Sequence, residues 1–516
     1  MKVQMTVADY LDRAVNVYGD RIGVVDEPGV PGALGELTYR SFERRVRRMA
    51  RTLEDLGIGE GDRVAIVSPN SAKFLISFWG TSRYGRVLVP VNFRLNAEEV
   101  RYIVAHSGAR VLLIDPELRE QLAGVECEHK IHLDGVEDAA LFSELGDDEP
   151  QPTPWTPDED ATATINYTSG TTARPKGVQI THRNAWTNAA IFGWQSGVSD
   201  RDVYLHTLPM FHCNGWGQVY AVTGMGGRHI VLRKVDGEDI LARVLRYGIN
   251  FLCGAPAVVA MTLDAAAKRR ANGDVVPGAH LVRMVVAGAP PPTKTIERVE
   301  TELAWEFIQI YGLTETSPLL TMNRRREEWD GLDPAERARM LGRAGAPAIG
   351  VTIRISDEGE VMARANHVFE GYWEQPEETS KAIRDGFFHT GDGGYLDGAY
   401  LVIADRKKDV IISGGENISS IEVEDAIFQH PAVAECAVIG VPDEKWGETP
   451  LALVVLKPGA SATEDDIIDF VRGRLAHFKC PRRVELRDSL ARTATGKLQK
   501  FKLREPYWSG RDKKVN

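Results

Sequence analysis

The feature that most constrains this chain is an alternation. From residue 38 to residue 286, short runs of β-branched and aliphatic residues recur, separated by stretches with helical spacing. Between Thr38 and Gly57 the apolar residues Phe42, Val46, Met49, Leu53 and Leu56 step by three and four, one face of an amphipathic helix that Gly57 stops. Val64–Val67 reads as a buried strand and Ser71–Tyr84 as a helix. Further strands are predicted at Val87–Val91, Val111–Ile114, Ala163–Tyr167, Ile230–Leu232, Phe251–Cys253 and Val282–Val286. Strands alternating with helices predict an α/β fold of parallel sheets covered on both faces. Near residue 340 the pattern changes, and Ile349–Ile355 and Glu360–Ala363 predict a small antiparallel or barrel-like piece. From about residue 405 a strand (Val410–Ile412), a helix (Ile421–Gln429), two strands (Glu435–Ile439 and Leu451–Leu456) and a helix (Glu464–Leu475) predict a smaller α+β domain. A chain of 516 residues exceeds what one core serves, so the expected division is a large domain over 1–405 and a small one over 406–516.

Charge removes one class of function. The net charge of −11 argues against a general nucleic-acid binder, whose affinity comes from neutralising phosphates. Arg44, Arg45, Arg47, Arg48 and Arg51 share the first helix and read as a solvated face. The five cysteines show no C-x-x-C spacing, which fits free thiols in a reducing compartment. Asp9 and Asp12 break any apolar run at the start, so no signal peptide is predicted. No stretch is apolar and long enough to span a bilayer, and a cytoplasmic location is expected.

The strongest chemical signal is Tyr167–Gly177, reading YTSGTTARPKG after a predicted strand. Thr168, Ser169, Gly170, Thr171 and Thr172 form a small, hydroxyl-rich turn whose backbone N–H groups and hydroxyls suit phosphate oxygens, and Lys176 adds a cation. A Walker A reading fails, because Pro175 stands where its second glycine belongs. Other strings follow in order: YGLTET at Tyr311–Thr316, HTGD at His389–Asp392, DRKKD at Asp405–Asp409, SGGEN at Ser413–Asn417 and RTATGK at Arg492–Lys497.

This ordered set resembles the motifs of the adenylate-forming superfamily, which includes acyl-CoA and aryl-CoA ligases, peptide-synthetase adenylation domains and luciferases. The resemblance implies a two-step reaction. A carboxylate attacks the α-phosphate of ATP, and a thiol then displaces AMP. The first step brings two anions together, so cations and aimed donors are needed, with Mg²⁺ bridging the phosphates.

By the same resemblance, Glu315 helps hold Mg²⁺ and Thr314 contacts the α-phosphate. Tyr311 stacks on adenine, Gly288, Ala289 and Pro290 line the other side of the ring, and Gln309 stands near the adenine amino group, with Ile310 and Gly312 in the same nucleotide-binding string. Asp392 accepts hydrogen bonds from the ribose hydroxyls and Arg406 contacts ribose or phosphate. Lys497 reaches the carboxylate and α-phosphate during adenylation. The small C-terminal domain rotates about Lys408, after which the loop of Gly414, Gly415, Glu416 and Asn417, with Trp446, serves the thiol step.

The string LPMFHCNGWG at Leu208–Gly217 resembles the acyl site of fatty-acid and related ligases. It implies that His212 lines the pocket and that Trp216 gates it, with core packing as the rival reading for both. Val286 and Ala287 are expected as further walls and supply no cation, so a hydrophobic monocarboxylate is favoured and its chain length and ring content stay open. CoA is the expected acceptor. The segments Asp443–Glu448 and His477–Pro481 also resemble free-standing CoA ligases, and a homodimer is compatible with the pattern. Ala173 and Ala491 depart from the usual glycine and proline of these motifs. The same motifs would serve an enzyme that loads an acyl-carrier protein, a nucleotide-binding protein that has lost catalysis, or a luciferase-like oxygenase.

Overall fold

The computed structural model describes residues 1–27, 32–168, 175–278, 282–288, 291–406, 409–413, 416–443, 446–492 and 498–509, without the side chains of 404–406 and 417. The alternation becomes two large sheets. A seven-stranded sheet runs in the order Gly371–Tyr372, Lys176–Thr181, Thr162–Thr168, Val87–Val91, Arg63–Val67, Ala109–Ile114 and His129–His132. A nine-stranded sheet runs from Ala346–Pro347 through Leu319–Asn323, Glu306–Gly312, Arg283–Val286, Phe251–Gly254, Val203–His206, Arg228–Val231 and Ile22–Asp26 to Gly35–Thr38. Both are parallel in the middle and antiparallel at an edge.

Both faces of these strands are covered, as the apolar runs predict. Leu88, Val111 and Ile180 of the first sheet share one buried core with Tyr204, Phe251, Ile308 and Ile310 of the second. Side chains alternate along a strand, so their neighbours Leu252, Met284, Val286 and Phe307 enter another core under the helices Gly237–Tyr247 and Pro256–Asn272. The helix expected from Thr38 spans Tyr39–Asp55. The Thr38 hydroxyl caps it, accepting from Ser41 N at 3.1 Å. Its arginines pair with the following acidic loop, Arg48 with Glu149 and Arg44 with Glu144 and Asp147, which makes this face structural.

Beyond residue 350 a five-stranded antiparallel sheet holds Thr352–Ile355, Glu360–Arg364, Ile383–Arg384, Phe387–Asp397 and Tyr400–Arg406. The strand expected from Ile349 starts only at Thr352, because Gly350 turns the chain at φ +80°. A third core is built from Ile411, Val423, Ile427, Val438, Val454 and Ile467 in the smaller C-terminal domain. There the five strands include Val433–Asp443 and Gly447–Leu456, covered by the helices Ser420–Phe428 and Glu464–Arg472. No helix among the described residues is long and apolar enough to cross a membrane.

Candidate functional site

Two of the motifs follow the carboxyl ends of strands in the large sheets, where open α/β sheets bind ligands. Thr168 closes Thr162–Thr168, and Lys176, its register partner, opens the next strand. Ser169, Gly170, Thr171 and Thr172 lie between them, outside the described residues. The Lys176 ammonium pairs with Glu378 and lies 4.8 Å from the centre of the Tyr372 ring.

The other motif leaves the strand Glu306–Gly312. Gly312 is required by close approach, since a Cβ there would sit 1.6 Å from the Pro318 carbonyl oxygen. The pleat sets the roles on either side of it. Ile310 is 2% exposed and packs in the main core, so its expected place against the nucleotide is corrected. Gln309 and Tyr311 point the other way. The Tyr311 hydroxyl donates to Asp392 Oδ2 at 2.9 Å. Gln309 Oε1 is buried with no hydrogen-bond partner among the described residues, an acceptor that an amino group would satisfy. Gly288 takes φ +95°, a backbone that favours glycine, while Ala289 and Pro290 lie outside the described residues.

Asp392 is held by its own turn. The Thr390 hydroxyl accepts from Asp392 N at 3.1 Å, and Glu360 accepts from Gly391 N at 3.0 Å. The backbone of Arg406 is the register partner of Asp392, and the Arg406 side chain lies outside the described set.

His212 opens an unusual turn. Cys213, Asn214, Gly215, Trp216 and Gly217 all take positive φ, between 45° and 79°. Left-handed backbone costs non-glycine residues roughly 1–2 kcal/mol each, so the turn persists only because its surroundings fix it. Asn166, on the strand before the phosphate-type loop, donates to Phe211 O at 3.3 Å and to Asn214 Oδ1 at 3.0 Å. Asn188 donates to Trp216 O at 3.3 Å. The Cys213 thiol reaches Thr314 O at 3.8 Å. Burial, with Glu315 nearby, pushes its pKa far up, so it stays an inert thiol.

His212, Trp216, Ala287 and Gly288 line a cavity of 750 Å³. Val286 does not line it: it is 0% exposed and faces the opposite core, a correction that strand alternation explains. A second correction concerns charge. Arg94, Arg233, Lys234 and Arg243 reach the cavity wall, although no cation was expected there. Arg233 is balanced by a two-pronged pair with Asp115, and Arg243 by Glu27.

Glu315 is tied to the segment Phe369–Tyr372, whose strand Gly371–Tyr372 pairs with the one that Lys176 opens. Its backbone carbonyl accepts from Phe369 N at 2.8 Å, and its Oε1 accepts from the Tyr372 hydroxyl at 2.9 Å. Burial, with Glu315 beside it, raises the Tyr372 phenol pKa far above its usual range, so at neutral pH it keeps its proton and donates. Among the described residues no group of three or more His, Cys, Asp or Glu could hold a metal. A lone carboxylate fits Mg²⁺ well, because that ion binds through one or two carboxylates together with substrate phosphates and water. Tyr372 had no motif to announce it, and only its pairing with the Lys176–Thr181 strand brings it here.

In the C-terminal domain, Glu416 is exposed and Trp446 lies beside Arg482, whose guanidinium is 4.8 Å from the ring centre. Lys408, Gly414, Gly415 and Lys497 lie outside the described residues, as does the Asn417 side chain.

Known proteins resemble this chain in sequence and fold. The family model described as AMP-binding enzyme matches residues 11–373, and that of the AMP-binding enzyme C-terminal domain matches 422–497. The chain is 35% identical to a 2-methylpropanoate–CoA ligase of Humulus lupulus, over 97% of this chain and 95% of that protein. It is 36% identical to a 4-hydroxybutyrate–CoA ligase of Metallosphaera sedula, over 96% and 93%. A solved anthranilate–CoA ligase in complex with anthranoyl-AMP superposes with a TM-score of 0.87 at 25% identity, covering 98% of both chains. Motif order, strand-end geometry and likeness along nearly the whole length agree, and the chain belongs to the AMP-binding enzyme family as an ATP-dependent, AMP-forming acid–CoA ligase.

Proposed function

We infer that the acid is a hydrophobic monocarboxylate, bound in the 750 Å³ cavity with His212 beside its carboxylate and Trp216 at the gate. The cavity is within the range of small-molecule sites, and the pairing of Arg233 and Arg243 with carboxylates leaves them balanced without a second acidic group on the substrate. Residues 1–405 are the adenylation domain and 406–516 the mobile lid that carries Lys497. Free cysteines fit a cytoplasmic enzyme.

In this reading a carboxylate oxygen attacks the α-phosphorus of ATP, and the bond to pyrophosphate breaks. Thr168, Ser169, Gly170, Thr171, Thr172 and Lys176 cradle the phosphates. Thr314 and Lys497 meet the charge that develops on the α-phosphate. Tyr311 stacks on adenine, Gln309 meets its amino group and Asp392 binds the ribose. Glu315 would hold Mg²⁺, which supplies charge neutralisation on the phosphates. Rotation at Lys408 then withdraws Lys497 and brings in Gly414, Gly415, Glu416 and Asn417. The CoA sulfur loses its proton, attacks the acyl carbon and expels AMP.

One observation supports this most: Lys176, Glu315 and Tyr372 meet although the sequence separates them widely. Acid-dependent pyrophosphate release over a panel of alkyl, aryl and polycyclic acids, with and without CoA, tests the reading. Release with apolar monocarboxylates and turnover with CoA is expected. Preference for dicarboxylates, or turnover only with a phosphopantetheinyl protein, contradicts it. Gel filtration distinguishes a monomer from a homodimer.

A further inference from the structure

The segment Phe369–Trp373 stitches the two nucleotide motifs together. Phe369 N donates to Glu315 O at 2.8 Å, Glu370 N to Gln179 O at 3.1 Å and Trp373 N to Gly177 O at 2.7 Å. Gly371 and Tyr372 extend the sheet beside Gln179 and Val178, on the strand that Lys176 begins. One short strand thus bonds both to the strand after the phosphate-type loop and to the turn carrying Glu315.

Tyr372 is the side chain placed to use this. Its ring packs edge-on against Phe369, with centroids 4.9 Å apart, and its backbone N–H donates to Thr379 Oγ1 at 2.9 Å. Ring and backbone are therefore fixed before the hydroxyl engages Glu315 Oε1 at 2.9 Å. Mg²⁺ demands near-ideal octahedral geometry, so a carboxylate that serves it gains from being held in one orientation. Hydrogen bonds from outside the metal's own ligands provide such orientation.

We propose that Tyr372 is the positioning residue for Glu315, its hydroxyl setting the carboxylate toward the nucleotide-bound cation and linking that carboxylate to the Lys176 strand. This rests on the proposed metal role of Glu315. The hydroxyl transfers no proton and touches no reacting atom. Its contribution is to metal affinity and to the metal's hold on the triphosphate.

The test is metal binding without turnover. The full-length enzyme is titrated with Mn²⁺ in the presence of an ATP analogue whose α,β bridge cannot break, and bound Mn²⁺ is read by electron paramagnetic resonance. Tyr372→Phe removes only the hydroxyl and keeps the ring against Phe369 and Lys176. It is expected to weaken Mn²⁺ binding roughly tenfold, with analogue binding in the absence of metal and the thermal midpoint unchanged. In a Glu315→Gln background the same change should add nothing. Unchanged Mn²⁺ affinity in Tyr372→Phe, or an equal further loss in the Glu315→Gln background, overturns the proposal. If Glu315→Gln itself leaves Mn²⁺ binding intact, the metal role of Glu315 fails instead, and the proposal falls with it.

Discussion

Asp392 and Lys497 serve the same proposed step from different parts of the chain. Asp392 is 8% exposed, fixed by the Tyr311 hydroxyl and by a turn that Glu360 and Thr390 tie down. Lys497 ends a motif in the segment matched by the C-terminal domain model, and among the described residues that domain's core is made of its own side chains. A direct polar contact between the large body and that domain runs from Asp425 to Thr293. Thr293 N donates to Asp425 Oδ1 at 2.9 Å, at the start of a helix that has no side-chain cap of its own. In the proposed mechanism the nucleotide half is thus organised in advance, whereas the lysine is delivered by the small domain. That difference suits a site that must change between two half-reactions.

Acid should separate the two bodies most. Burial lowers the His182 and His367 pKa values from the ordinary 6.5 to about 4, and that of His229 to about 3. The unfolded chain binds these protons first, so stability is full above pH 6.5 and is lost as pH falls toward about 4. Among the described residues the small domain buries no histidine. Calorimetry from pH 7 to pH 5 should lower the large body's midpoint by several degrees, each histidine contributing about 1–2 kcal/mol, while the small domain's midpoint stays. An equal fall in both breaks the comparison.

Ile310→Ala sharpens it further. A buried aliphatic truncation costs about 2–5 kcal/mol, so the large body's midpoint should drop while the KM for ATP stays within about twofold. A selective loss of ATP affinity would instead restore Ile310 to the nucleotide site. Asp392→Ala should do the reverse, raising the ATP KM roughly 10–100-fold, as expected for a charged hydrogen bond worth about 1.5–3 kcal/mol. The smallest effect belongs to Asp425→Ala. Losing a helix cap costs about 1 kcal/mol, and here it falls on one domain orientation, so the ratio of adenylation to thioester formation should shift a few-fold. A constant ratio would mean that the contact holds nothing in place.

These substitutions also mark what was legible in the sequence. The alternation gave the parallel sheets because apolar strand runs are local. The motifs pointed to the proposed nucleotide site because Tyr311, Thr314 and Glu315 are near neighbours in one string. Ile310 and Val286 were misplaced because adjacency along a strand sends successive side chains to opposite faces. The strand Glu306–Gly312 itself went unread, since Gln309 and Tyr311 interrupt its apolar run. The left-handed turn at Cys213–Gly217 was signalled only in part, by Asn214-Gly215, because the conformation of Cys213 and Trp216 is imposed by surroundings that include Asn166 and Asn188. Tyr372 was invisible because its partner, Glu315, meets it only through sheet pairing.

In the proposed mechanism a lysine from the small domain joins a prearranged nucleotide site for the first half-reaction alone. Single-turnover chemistry on Lys497→Ala tests it directly, following acyl-AMP formation from ATP and acid, and separately thioester formation from supplied acyl-AMP and CoA. Acyl-AMP formation should fall by about 10²–10³ while thioester formation stays within about twofold. An equal loss in both steps, or no loss in the first, would mean that Lys497 does not serve adenylation alone.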